Sequence, residues 1–358
     1  MSPVKHTRKQ SGSILIGVLV TLFLMGVIVT KFLSEATREI QYQSQFQGRL
    51  DLRSQAYSMF DATLACLHEI KTIDGELYRS NQGWSNPLSY AEFPIPEGLE
   101  VEVKIRDETG KLPIDHNDVT IWKLLFEAMG IDLSDADELT DTLIDWMDKD
   151  DLKRLNGAEI DDYELDDKEY KPSNEILKDY DELRHIKGFD ELFFDEEDGT
   201  PNQYFKWFQD SVSLYNTHPV NVNTAQGLVS TILARMGGYN NQVFMQQMNG
   251  PDGEPGTGDE PWITDFQQIQ GFGMGESAGG SMSPGRLFGA TSKLFDIEVK
   301  VERGGSIFLI KALVGPKDAK NSRSNNSRNS DRTNRSSSSN NDGYYPFDII
   351  HISENRLF

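Results

Sequence analysis

The chain opens on a polar stretch and then turns apolar without interruption. From Ile14 to Val29 no position carries a charge, and Lys31 ends the run. That run of about 17 apolar or neutral residues is near the lower limit for a helix that spans a bilayer. Beyond it the pattern changes rather than stops. Leu50, Tyr57, Leu64 and Leu67 recur near helical spacing, with Phe46, Phe60 and Ile70 on neighbouring positions. From Ser13 to about Ile70 there is no Pro, and Gly17, Gly26 and Gly48 are the only weak points. The pattern predicts one helix of roughly 85 Å at 1.5 Å per residue. Its first third is lipid-like and the rest amphipathic.

A loop rich in Pro, Gly and Ser follows, and then the period changes to two. Leu99, Val101, Val103 and Ile105 alternate with Glu100, Glu102, Lys104 and Arg106, which predicts a half-buried strand. From Leu112 to about Phe288 the chain reads largely helical, in the stretches DVTIWKLLFEAMGI, DADELTDTLIDWMD, DYDELRHIKGFDELFF and NTAQGLVSTILARMGG. Strand patterns return in LFDIEVKVE and SIFLIKALV, joined by RGG as a hairpin turn, and again in PFDIIHIS. The strands before and after the helical block are expected to form one antiparallel sheet, with the block inserted between them. The expected fold is α+β: a long N-terminal helix on an antiparallel sheet, with a large, mainly helical insert. The expected divisions are 13–33 for the lipid-like helix, 34–111 for its continuation and the first strand, 112–288 for the insert, and 289–358 for the remaining strands. Within the last division, 317–343 is rich in Asn, Ser and Arg and reads as a disordered loop.

Charge narrows the function. The formal net charge of −22 over 358 residues argues against a nucleic-acid partner, because phosphate contacts need a basic face. Arg8, Lys9 and Lys5 precede the apolar run and predict a cytoplasmic N-terminus. The one cysteine, Cys66, excludes an intramolecular disulfide and reads as a small buried residue of the helix.

The acids are concentrated. From Asp141 to Asp198 there are 22 Asp or Glu against 8 Lys or Arg, interleaved with Ile144, Trp146, Leu152, Leu155, Tyr163 and Leu177. A segment with that much apolar content can pack, and packed carboxylates repel unless a cation offsets them. Ca²⁺ suits such a site, since it takes six to eight oxygen ligands. Asp148 and Asp150 lie one residue apart, Gly157 allows a tight turn, Glu159, Asp161 and Asp162 follow, and Asn174 and Glu175 come after a Pro-containing turn. The spacing is not that of an EF-hand. A plain solvated acidic surface is the competing reading.

A short basic leader, a Gly and the start of a long apolar helix resemble the prepilins, in which the cut falls after the Gly and the helix is kept. That resemblance places cleavage between Gly12 and Ser13. Ser13 and Gly17 stand where most prepilins have Phe first and Glu fifth, and one pseudopilin type is known for lacking that Glu. The stretches LIDWMDKDDLKRLNGAEIDDY, YKPSNEILKDYDELRHIKGF and VNVNTAQGLVSTIL, in that order, resemble the K-class minor pseudopilins of the type II secretion system. Departures are Ile160, which looks inserted after G-A-E, Ser173 in place of the usual Ala, and LPIDHND as a degenerate form of an earlier motif. The resemblance implies a pseudopilin sheet with an inserted α-domain that binds Ca²⁺, with Asp148, Asp150, Glu159, Asp161 and Asn174 as the metal neighbourhood. It implies a single-pass inner-membrane precursor with a periplasmic body, cut by the prepilin peptidase. Its place would be the pseudopilus tip, beside the I- and J-class minor pseudopilins and the major pseudopilin, capping assembly and supporting export.

Other classes fit less well. ELRHIKGF and VNTAQGLVSTIL also resemble helix-hairpin-helix elements that grip DNA, but acidic surroundings repel phosphate. A minor pilin of a type IV pilus would share the helix and not the acidic insert. His116, His185 and His218 form no nucleophile-base order, so an assembly subunit is expected rather than an enzyme.

Overall fold

The computed structural model describes residues 11–115, 118–165, 171–195, 197–236, 246, 248–252, 259–265, 287–316 and 347–355. The expected loop at 317–343, most of the leader and His116 lie outside the described residues.

Helix α1 runs unbroken over Ser11–Asp74, as the absence of Pro allows. Short helix α2 (Pro87–Tyr90) is capped by Asn86, whose side chain accepts from the Ser89 amide. Strand β1 (Glu100–Asp107) follows. The chain then leaves through β2 (Leu112–Pro113), α3 (Val119–Ala128), α4 (Leu133–Met147), α5 (Ile160–Leu165) and a 3₁₀ turn at Tyr180–His185. It continues through α6 (Phe189–Phe193), α7 (Gln203–Ser211), β3 (Val212–Ser213), β4 (Val220–Asn221), α8 (Gly227–Met236) and β5 (Phe288–Gly289). It returns as β6 (Phe295–Arg303), β7 (Ser306–Pro316) and β8 (Phe347–Glu354).

The main sheet has the order β1-β6-β7-β8 and is antiparallel throughout. Glu100 faces Glu302 and Asp107 faces Phe295, so the strand before the helical block pairs with the first long strand after it. Gly304 and Gly305, at φ 57° and 78°, supply the two left-handed positions that the tight β6–β7 turn needs. Phe295, Ile297, Val299 and Val301 alternate inward and meet Phe60, Leu64, Leu67 and Ile70 of α1 in one core. Cys66 is buried there, and burial pushes its thiol up to about 12. Leu50, which the helical spacing assigns to the same face, is 52% exposed. The sheet ends at that level: Arg303, beside the hairpin turn, pairs with Asp51 at 2.7 Å, and Leu52, one residue on, is buried.

The helical block has its own core. Phe126, Phe189, Phe193 and Phe208 meet edge to face or stacked, with Trp122 stacked on Phe208 and Leu125, Leu139 and Leu143 around them. Two expectations within it need correction. The VNVNTA stretch does not start a helix: Val220–Asn221 is a strand beside Phe288–Gly289, and α8 begins only at Gly227. The Asn221 side chain accepts from the Asn223 amide, and the Asn223 side chain bonds the backbone of Ile263 and Ala290, which holds this stretch out of helical geometry. DYDELRHIKGFDELFF is a 3₁₀ turn followed by α6, broken at Gly188 with φ 83°.

Candidate functional site

The end of α4 gathers acid where a helix favours it least. Asp141 and Asp145 fall in the last two turns and Asp148 is the C-cap, against the negative end of the helix dipole. Spacing of four places Asp141 and Asp145 on one face, and the following loop folds back onto them. The Arg154 amide donates to Asp145 Oδ2 at 3.0 Å, and the Asn156 amide donates to Asp141 Oδ2 at 3.1 Å. A Cβ on Gly157 would lie 1.8 Å from Asp145 Oδ2, so the close approach of this loop requires glycine.

Several buried oxygens in this region lack hydrogen bonds. They are Asp145 Oδ1, Asp148 Oδ1, both carboxylate oxygens of Glu159 and Asn174 Oδ1. The nearest cation to Asp145 Oδ1 is Arg154 Nε, at 3.3 Å. Asn174 is carried to the helix end by its amide, which donates to the Trp146 carbonyl at 3.1 Å, and it adopts φ 50° there. Burial, together with the charges of Asp145 and Asp148, pushes the Glu159 carboxyl up to about 7. Burial also pushes Asp145 up to about 6, and it raises Asp148, helped by Asp150. Buried acceptors left unpaired are costly, and such a set of oxygens fits a hard cation. Among the described residues, no group of three or more His, Cys, Asp or Glu side chains is disposed as a ready-made metal cage.

The residues singled out in the sequence divide. Asp148, Glu159 and Asn174 turn their oxygens into the buried region. Asp150 is exposed, and its Oδ1 accepts from the Leu152 amide at 2.9 Å, although its charge still acts on Glu159. Asp161 is exposed on the first turn of α5, while its neighbour Asp162 pairs with Lys153 at 2.6 Å. Asp145 is the residue that sequence reasoning missed. The signal was available in the spacing 141, 145, 148 at a helix end. Gly12 and Ser13 lie in the first turn of α1. His185 closes the 3₁₀ turn, and His218 follows Asn216, whose side chain accepts from its amide.

The family model described as type II secretion system (T2SS), protein K, matches residues 102–196. The chain is 26% identical over 202 residues to the type II secretion system protein K of Pectobacterium carotovorum, which is 51% of this chain and 59% of that relative. It is 28% identical over 154 residues to the protein K of Pseudomonas aeruginosa, 40% of this chain and 42% of that relative. The matches thus span about half the length of these curated relatives. A solved chain from the GspK-GspI-GspJ complex of enterotoxigenic Escherichia coli superposes with a TM-score of 0.56 at 15% identity, covering 89% of this chain and 100% of that one. The fold defines a pseudopilin-like class of chain, a long helix across an antiparallel sheet that is interrupted by a helical lobe. Within that class, residues 102–196 match the type II secretion system protein K family, and the curated relatives to which the chain is similar are proteins K of that system.

Proposed function

We propose that this protein is the minor pseudopilin at the tip of the type II secretion pseudopilus, with a structural rather than a catalytic part in export. One observation carries the reading. Leu15–Arg38 is long and apolar enough to cross a membrane and is unburied, yet it continues without a break into the core helix of a folded body. Such a helix can hold a precursor in the inner membrane and later pack among other pseudopilin helices. The I- and J-class minor pseudopilins and the major pseudopilin are the partners, in keeping with the complex in which the solved E. coli relative was found. The prepilin peptidase cuts between Gly12 and Ser13, and the body lies in the periplasm. The inserted lobe caps the growing end by bulk. Gly17 at the fifth mature position suits a subunit with no neighbour above it. Gly12→Val should leave the uncut form in membranes, read by intact mass; an unchanged mature mass would remove the processing assignment.

We propose in addition that the oxygens at the end of α4 bind Ca²⁺. Asp145, Asp148, Glu159 and Asn174 would hold the ion, with Asp150 and Asp161 as nearby acids on the rim. A calcium ion there would supply positive charge to a buried acidic region and ligation for its unpaired oxygens. The chain's own part is to fold the 148–157 loop and Asn174 against one helix end. The melting midpoint should rise with Ca²⁺ and fall with chelator, and Asp148→Ala with Glu159→Ala should erase the difference. Equal melting of the parent in both conditions would overturn the site.

A further inference from the structure

The body and the lobe keep separate apolar cores, the first built on α1 and the main sheet, the second around Phe126, Phe189, Phe193 and Phe208. The contacts that join them at the chain crossings are polar. The chain leaves through Glu108–Gly110 and returns through 292–294, and the two crossings are bound to each other. The Glu108 amide donates to the Leu294 carbonyl at 2.9 Å, and the Lys293 and Leu294 amides donate to Thr109 Oγ1 at 2.8 and 3.0 Å. Beside them, a cleft of about 940 Å³ separates Trp84, Ile105 and Arg106 of the body from Trp207, Gln226 and Leu228 of the lobe. Trp207 is 38% exposed at its wall. Paired crossings, a polar seam and an open cleft make a hinge, since parts of one chain move against each other unless a large apolar interface holds them.

A strap at residues 76–82, directly after α1, spans that hinge. Its foot is in the body: Leu77 belongs to the body core, and its carbonyl accepts from the Ser292 amide at 2.6 Å. Its other residues reach the lobe. The Tyr78 carbonyl accepts from the Asn221 side chain at 2.8 Å, Arg79 Nη1 donates to the Met248 carbonyl at 2.7 Å, and the Asn81 side chain donates to the Glu260 carbonyl at 2.7 Å. Met248 belongs to the lobe core, so these bonds run from one part to the other. Arg79 also lies 3.6 Å from the buried Glu260 carboxylate. Gln82 keeps the strap in shape. Its side chain accepts from the amides of Tyr78 and Arg79 at 2.6 and 3.1 Å and donates to Asp74, the last residue of α1, at 2.8 Å. We propose that the lobe swings on the crossings at 108–110 and 292–294, and that the 76–82 strap is the latch that fixes its orientation relative to α1, with Arg79 and Asn81 as the bolts. Hydrogen bonds to protein exchange for hydrogen bonds to water at modest net cost, so such a latch can open where an apolar interface would stay shut. The inference concerns the chain alone and does not depend on its place in the pseudopilus.

The test uses the full chain in detergent, with spin labels attached at Ser306→Cys in the body and Glu191→Cys in the lobe, both exposed positions. Cys66 is buried and takes no label. Pulsed electron spin resonance should give one narrow label-to-label distance in the otherwise unaltered chain. Arg79→Ala with Asn81→Ala should broaden that distance and add a second one. The far-ultraviolet circular dichroism should stay unchanged, because neither side chain belongs to an apolar core. Asn81→Ala alone, which keeps the Arg79 bolt, should broaden the distance less, and it carries the test if the double variant does not fold. A distance as narrow in these variants as without them would overturn the latch. A broad distance in the chain with both bolts intact would overturn it as well, by showing a lobe already free.

Discussion

Asn221 donates a hydrogen bond to the Asp107 carboxylate at 2.8 Å, across 114 positions of sequence. Asp107 ends the first strand of the main sheet, and Asn221 lies in the helical lobe. The same Oδ2 also accepts from Thr224 at 2.6 Å and from Ser292 at 2.6 Å, while Asn221 donates further to the Tyr78 carbonyl at 2.8 Å. One carboxylate and one amide thus join the lobe to the body where the chain leaves and re-enters the sheet. Asn221→Ala should cost roughly 1–3 kcal/mol, because it removes hydrogen bonds to the half-buried Asp107 carboxylate and Tyr78 carbonyl and the acceptor of the Asn223 amide. Urea unfolding would show this as a lower midpoint, and an unchanged midpoint would mean that apolar packing alone joins the two parts.

At Gly157 the close approach to Asp145 makes a sharper prediction. Gly157→Ala needs the loop or the carboxylate to move, since the added carbon would overlap Oδ2. The expected loss is about 1–3 kcal/mol from overpacking. The response of the melting midpoint to Ca²⁺ should shrink with it. Retention of the full calcium shift in this variant would show that the loop is free to relocate.

The Glu159 and Asp145 carboxyls set a pH dependence for the calcium-free protein. Both are raised in the folded chain, Glu159 from 4.5 to about 7 and Asp145 from 3.8 to about 6. Between those values the folded state binds more protons than the unfolded one, so stability falls as pH rises through the window. In excess chelator the melting midpoint at about pH 5.5, below the raised Glu159 value of about 7, should exceed that at neutral pH. Glu159→Gln should flatten the slope. With Ca²⁺ in excess the trend should reverse, because protons then compete with the ion.

The C-terminal strand offers a case of opposite sign. Arg53 forms a bidentate contact with Glu354, its Nη2 at 2.7 Å from Oε1, and the Tyr57 hydroxyl donates to the same oxygen at 2.7 Å. The Arg53 and Tyr57 hydrogen bonds hold the Glu354 carboxyl below its ordinary range. A lowered carboxyl contributes stability above its unfolded value and loses it as pH falls through the folded one. Glu354→Gln should therefore speed amide exchange in β8 at neutral pH and have little effect in acid. Equal exchange at both pH values would detach this contact from strand docking.

Much of this architecture was legible because it follows from period. The helix to Asp74, the alternating β1 and the Gly-Gly hairpin need no long-range information. The helical lobe was harder. α7 is amphipathic, but its nine residues follow a cap at Asn202 rather than a long apolar pattern, and the sequence reading passed over it. NTAQGLVSTILARMGG, with Asn223 and Thr224 at its head, read as helix from its first residue. Their side chains are instead engaged by Asp107, Ile263 and Ala290, partners far away in sequence. The sequence singled out an acidic neighbourhood and not a ligand set. Distinguishing buried Asp145 from exposed Asp161 depends on which face of α4 the 148–157 loop covers, and spacing within a single segment does not encode that.

An unbroken α1 also has a mechanical meaning. With no Pro between the greasy end and the sheet, the continuous helix limits how far the body can swivel on its stem. Tilting the stem by a given angle must tip the whole head by the same angle. Any pull exerted on one end therefore arrives at the other as displacement and torque, as through a mast rather than a rope.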